Sequence, residues 1–187
     1  MADSVQLSLL DGNGEDTVLE VMQMHCDGKT NTNADEIFSG YDHLYAITFS
    51  YGLNFIGHII SNFKTADIIL GCAPLVKYDA MEVIAFQKES LRIIRRHKEL
   101  IERVQKGEVH FYIAKGAVAH EKIYVMTDTL GYKTRVVFGS ANFSARSFDG
   151  DQRENICICD NDSNAFDLYM QEFNLVRDTM CGDEIPL

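Results

Sequence analysis

Two short clusters in this 187-residue sequence combine side chains that can handle a phosphate. His120 and Lys122 are separated by one residue, and further on Ser140 and Asn142 are spaced in the same way. In an extended chain successive side chains alternate between faces, so residues 120–126 place His120, Lys122, Tyr124 and Met126 on one side and Glu121, Ile123 and Val125 on the other. An imidazole and an ammonium then stand side by side. The run TRVVFGSAN is a second strand that ends in a glycine turn, just before Ser140 and Asn142. Histidine, lysine, hydroxyl and amide on neighbouring strand ends form a small pocket of donors around one nucleophile. Lysine can neutralise a non-bridging phosphate oxygen, while the hydroxyl and amide donate to the trigonal-bipyramidal phosphorus centre, where charge develops in the transition state. Imidazole, with an ordinary pKa near ~6.5, is available at pH 7 as nucleophile or base. The scheme needs no metal and no cofactor.

Each piece also has a plainer reading. Gly, Ser and Asn all favour turns, and His120 with Lys122 could be incidental polar residues on an exposed strand edge. Other candidates are weaker. His25 beside Cys26 lacks partners at metal-ligand spacing, His43, His58, His97 and His110 read as surface or packed residues, and GSANFS is not the G-x-S-x-G of a serine hydrolase.

The elements that must position these groups follow from periodicity. Residues 44–49 and 67–70 read as short buried strands, with a helical pattern over 51–63 between them. Residues 79–107 carry the longest helical pattern, with Val83, Ile84, Leu91, Ile94, Ile101 and Val104 as its core stripe and Lys88, Arg92, Arg95, Arg96, Lys98 and Arg103 elsewhere on it. Those basic positions are either solvated charges or a phosphate-facing surface. Four more strands are expected at 109–113, 122–126, 134–138 and 155–159, and a closing amphipathic helix at 163–180. Strands separated by helices in the first half imply parallel crossovers, and clustered strands after residue 108 imply a mixed sheet. The expected fold is therefore an α/β sandwich, a mixed β-sheet flanked by helices on both faces. Residues 1–40, with the turn-rich DGNGED, a helix-like TVLEVMQM and the polar CDGKTNTNADE, read as an acidic N-terminal extension before a domain at 41–187.

Charge bears on the partner. There are 17 basic and 28 acidic residues, for a formal charge of −11, which on its face argues against nucleic acid. The distribution reverses that inference. Residues 1–42 hold nine acids and one base, residues 149–187 ten acids and two bases, and the middle nine acids and 14 bases, a net +5 around the candidate site. A hydrophobic content of 46% with two prolines is that of a globular chain, and the first twenty residues have neither a basic head nor an apolar run, so a cytoplasmic location without membrane attachment is the expectation. Five cysteines without a C-x-x-C pair make a disulfide framework or a thiolate zinc site improbable.

The segment 117–160 resembles the phospholipase D superfamily, whose signature is H-x-K-x4-D followed by G-S-x-N. Here it reads His120-Glu121-Lys122 and Gly139-Ser140-Ala141-Asn142. The motif aspartate would fall on Thr127, and Asp128 comes one position late; the resemblance gives that acid a structural role, so its displacement bears on the turn and not on the His-Lys pair. The resemblance also implies a glutamate about a dozen residues beyond the Asn that orients the histidine, a position Glu154 fits. It further implies a two-step reaction through a phosphohistidine. Members of the superfamily usually carry two H-x-K motifs and this chain has one, so the resemblance implies a homodimer with a shared site, as in the small single-motif nucleases. The implied function is an endonuclease acting on DNA or RNA. The rivals are a DNA-binding or targeting module of a larger helicase or restriction protein and, further off, a phospholipase or phosphatidyl transferase.

Overall fold

The computed structural model describes residues 3–10, 16–24, 34–71, 92, 94–114, 119–148 and 152–181, the first two segments through their backbone. Eight strands form one sheet in the order β1-β2-β8-β7-β6-β3-β4-β5. They are β1 (Asp3–Leu10), β2 (Asp16–Met24), β3 (His43–Thr48), β4 (Thr65–Leu70), β5 (Val109–Ile113), β6 (Ile123–Thr127), β7 (Thr134–Gly139) and β8 (Glu154–Asp160). β3, β4 and β5 run parallel, with Ala46 opposite Ile68 and Ile68 opposite Phe111. The remaining pairs are antiparallel, and β3–β6 is where the two halves of this mixed sheet join. Among the described residues the helices of known extent are α1 (Ala34–Ile37), α2 (Leu53–Ile60), α3 (Lys98–Gln105), α4 (Ala145–Phe148) and α5 (Ser163–Met180).

Strand alternation divides the core in two. On one face Leu44, Ala46, Ile68, Phe111, Tyr124, Met126 and Val137 pack with Phe55, Ile56 and Ile59 of α2 and Leu100 of α3. On the other, Ile47, Ile69, Ile123, Val125 and Val136 meet Phe173 and Val176 of α5. Helices therefore cover both faces, as expected where a central strand such as β6 is apolar on both sides through Ile123–Met126. The long α5 starts cleanly because the Asp162 carboxylate accepts the Ala165 N–H at 3.0 Å. No helix among the described residues is long and apolar enough to cross a membrane.

Two local expectations change. The segment TVLEVMQM is not a helix but most of β2, paired with β8 from Val18↔Asp160 to Met24↔Glu154. Its apolar residues satisfy either periodicity, and the free edge of β8 supplies backbone partners that decide the matter. Packing also runs through the compositional boundary at residue 40: Ala34, Ile37 and Phe38 lie in the core, Phe38 wholly buried against Tyr124, Phe143 and Phe148.

The second change is in the expected helix over 79–107, of which residues 79–91 lie outside the described residues. It is interrupted at Arg95–His97, and α3 begins after an extended His97. The break lets Ile94 and Leu100, six apart and so pointing roughly 120° apart on a continuous helix, both turn to the core. Ile101 and Val104 of the expected stripe are half-buried. Arg103 is a structural group, since its guanidinium donates to the carbonyls of Ile60, Phe63 and Lys64. Arg92, Arg95, Arg96 and Lys98 are exposed.

Candidate active site

All five residues singled out in the sequence sit at one end of the sheet. Lys122 immediately precedes β6, and its carbonyl accepts the Gly139 N–H of β7 at 3.3 Å. Ser140 follows β7, Asn142 lies in the loop beyond it, and Glu154 opens β8. The same end carries the carboxyl termini of parallel β3 and β4, the usual place for a ligand site in such sheets.

The turn after β7 depends on its glycine. Gly139 has φ +152°, and a Cβ there would stand 2.1 Å from the Asn155 carbonyl oxygen. That close approach lets Ser140 bond across to β8, its N–H donating to Asn155 O at 2.9 Å and its Oγ accepting the Asn155 N–H at 3.0 Å. A second glycine fits as tightly. A Cβ on Gly71, just past β4, would lie 2.7 Å from Phe49 Cα and 3.0 Å from the carbonyls of Phe49 and Ala119.

Lys122 is 6% exposed and His120 is exposed. The Lys122 ammonium donates to His120 O at 2.6 Å and meets the imidazole at 3.0 Å from Nδ1. An ammonium has only donors, so the ring nitrogen that it meets acts as acceptor. Phe49 packs against the imidazole with ring centroids 4.6 Å apart and lies 5.5 Å from the ammonium. Burial pulls the Lys122 pKa down, and the negative charges of Glu154 and Glu121 oppose that fall. Among the described residues no carboxylate stands within ion-pair distance of Lys122.

Asn142 is oriented by the backbone. The Ser50 N–H, which can only donate, points at Asn142 Oδ1 at 3.0 Å, and this fixes the amide with its two N–H donors turned away from β3. Ser140 and Glu154 are used differently from expectation. The Ser140 hydroxyl donates to Glu154 Oε2 in a short hydrogen bond, and the buried Ser147 donates to Oε1 at 3.3 Å. Both carboxylate oxygens are thus engaged by serines, where the resemblance implied a bond to the histidine. The Ser140 proton is spent on Glu154, leaving Lys122 and Asn142 as the side-chain donors for an anion.

Asp128 is distant from this cluster. It closes the β6–β7 turn at the other end of β6, where its carboxylate accepts the Tyr132 N–H at 2.9 Å. Glu121 points to the opposite face, with one carboxylate oxygen buried and without a hydrogen-bond partner; burial and the charge of Glu172 raise its pKa. No group of three His, Cys, Asp or Glu stands at metal-binding spacing among the described residues. Sequence reading missed Phe49, Ser50, Thr48, Tyr124 and Ser147. Of these only Tyr124 carried a signal, its place two residues after Lys122 on the same strand face.

Comparison with known proteins agrees with the geometry. A search of curated protein sequences finds no match to this chain. NucT from Helicobacter pylori superposes with a TM-score of 0.59 at 12% identity, over 89% of this chain and 99% of that one. Nuc from Salmonella typhimurium, a phospholipase D family member, gives 0.53 at 10% identity over 88% and 96%. Phosphatidylserine synthase from Haemophilus influenzae Rd KW20 gives 0.58 at 14% identity, over 92% of this chain but 44% of the synthase. The family model described as "Cardiolipin synthase, PLD-like domain" matches residues 78–177, more than half of the sequence and the whole of the His120–Glu154 segment. The chain belongs to the PLD-like domain family and has its phosphodiesterase fold.

Proposed function

We propose that this protein is a metal-independent phosphodiesterase that cleaves DNA or RNA as an endonuclease, through a phosphohistidine formed in a site shared by two copies of the chain. Residues 41–187 carry the catalytic machinery in this reading. The observation that carries it is the single His120–Lys122 pair, gathered with Asn142 at one sheet end and holding a cation that has no carboxylate within ion-pair distance among the described residues. One histidine cannot both attack phosphorus and protonate the leaving oxygen on the far side. A second copy supplies the missing group.

In the first step an imidazole nitrogen of His120 attacks phosphorus, forming an N–P bond as the P–O bond to the leaving nucleoside breaks. His120 of the partner subunit protonates that oxygen. Water, deprotonated by the same imidazole, then displaces His120 from phosphorus and leaves a terminal phosphate monoester. Lys122 and the Asn142 amide stabilise charge on the non-bridging oxygens. The net +5 of residues 43–148 favours a polyanionic substrate.

A second reading, phosphatidyl transfer, is favoured by the superposition on phosphatidylserine synthase and by the description of the family model. The test is cleavage of DNA and RNA in EDTA, with vanadate as inhibitor. Expected are cleavage, inhibition and loss of both strands of activity in His120→Ala; undiminished cleavage by that variant overturns the mechanism. Headgroup release from lipid vesicles without nucleic-acid cleavage transfers the assignment to the second reading. Binding of DNA by a monomer without turnover makes the chain a targeting module.

A further inference from the structure

Asn142 is held in place by two hydroxyls that belong to no motif. Tyr124, wholly buried, follows Lys122 by two residues on the same face of β6, with Phe38, Phe143 and Phe148 around its ring. Its hydroxyl donates to the Ala141 carbonyl at 2.7 Å. Thr48, the equally buried last residue of β3, accepts the Phe143 N–H at 2.9 Å and donates to the Ser50 carbonyl at 2.7 Å. Ser50 in turn donates its N–H to Asn142 Oδ1, and Gly52 N–H donates to Phe143 O at 3.0 Å. The backbone is thus pinned immediately before and immediately after Asn142, and the side chain between is pinned as well.

We infer that Tyr124 and Thr48 are positioning residues of the phosphate site, fixing the Asn142 amide at a set place relative to Lys122 through Ala141 O and Phe143 N–H. The inference rests on the phosphodiesterase reading for its kinetic consequence, but not for its structural one. Tyr124 lies in β6, which Lys122 immediately precedes, and Thr48 leads directly into Phe49, which packs on His120. One buried pair of hydroxyls therefore ties the donor on the loop to the cation and the nucleophile just before β6. Donors aimed at a transition state lose effect steeply with misplacement, so slackening this tie acts on turnover more than on substrate binding.

The experiment uses the full chain with Tyr124→Phe and Thr48→Val, each of which keeps most of the buried volume. Hydrolysis of bis(p-nitrophenyl) phosphate is read as kcat and KM, and amide hydrogen exchange is followed at Ser50 and Phe143. A kcat about tenfold lower with little change in KM is expected for each. Thr48→Ser, which retains the hydroxyl, recovers most of the loss. In an Asn142→Ala background Tyr124→Phe costs less than twofold, because the group that it positions is gone. Exchange at Ser50 and Phe143 rises while β4 and β5 stay protected. Wild-type kcat in both variants, or losses that multiply undiminished with Asn142→Ala, overturns the inference. If the wild-type chain hydrolyses no phosphodiester, the functional reading fails and exchange decides alone: unchanged protection at Ser50 and Phe143 overturns the positioning role, and selective loss of it upholds it.

Discussion

The two ends of β6 use charge in opposite ways. At the Asp128 end, charges neutralise one another. Asp42 accepts the backbone N–H and hydroxyl of Thr129 and pairs with Lys64 at 3.1 Å, Arg135 grips Asp160 through two hydrogen bonds of 2.6 and 2.7 Å, and Lys133 lies 4.4 Å over the Tyr41 ring while donating to Gly40 O. At the Lys122 end the cation has no ion-pair partner among the described residues, and the nearby carboxylate of Glu154 is occupied by Ser140 and Ser147. One end of the strand closes a turn; the other keeps its donors unspent. Charges that are mutually satisfied mark structure, and a nearly buried cation that meets no acid among the described residues is what the proposed phosphate site requires.

The sharpest break in that contrast is Lys122→Met, which keeps the aliphatic stem and removes the charge. Phosphodiester turnover falls about 10²–10³-fold with the melting temperature nearly unchanged, as read by kinetics beside thermal unfolding. A comparable loss from Lys64→Met would erase the distinction between the two ends.

Next in size is Gly139→Ala. The added Cβ meets the Asn155 carbonyl oxygen, which belongs to a paired strand and cannot swing aside, so stability drops by about 2–4 kcal/mol in denaturant unfolding.

Glu154→Gln tests the link between Lys122 and its surroundings. Burial already lowers the Lys122 pKa, and the Glu154 charge works against that shift. Without it the ammonium deprotonates at lower pH, so the alkaline limb of the pH–rate profile moves down. A limb that stays in place means that Lys122 does not set it.

The smallest effect belongs to Asp42→Asn at the turn. Hydrogen bonds from Thr129 and then Lys64 hold the Asp42 pKa down at about 2, against an ordinary 3.8. A depressed carboxyl pKa contributes stability that is complete above 3.8 and lost as pH falls through about 2. Wild type is therefore slightly more stable than Asp42→Asn at pH 6, and the difference vanishes only below about pH 2 in acid-unfolding curves.

Much of this architecture was readable from residues alone, because strict alternation at 120–126 and the glycine turn at 139 are local signals. The sheet's mixed character followed from the spacing of strands, and the long C-terminal helix from its apolar stripe. What escaped depends on contacts distant in sequence. The Val18–Met24 apolar pattern suits a helix until the open edge of β8 is present, and nothing local breaks the long helical pattern at Arg95–His97 until the core demands both Ile94 and Leu100. At the site, residue types were legible and their partners were not. Glu154 could be placed near the cluster, but its choice of Ser140 and Ser147 depends on α4, and Thr48 and Phe49 reach the cluster only because β3 pairs with β6.

Gly71 carries a consequence for how the protein tolerates change. It offers no side chain to any substrate, yet two stretches of backbone, one leading to Phe49 and one to His120, cross at its Cα with space for a hydrogen and not for a methyl. A side chain there would press on Phe49 and on the Ala119 carbonyl, and so on the contact between Phe49 and His120. A mutational scan scored on phosphodiester cleavage is expected to rank this chemically inert position beside His120 itself, because the packing there has room for nothing larger than a hydrogen.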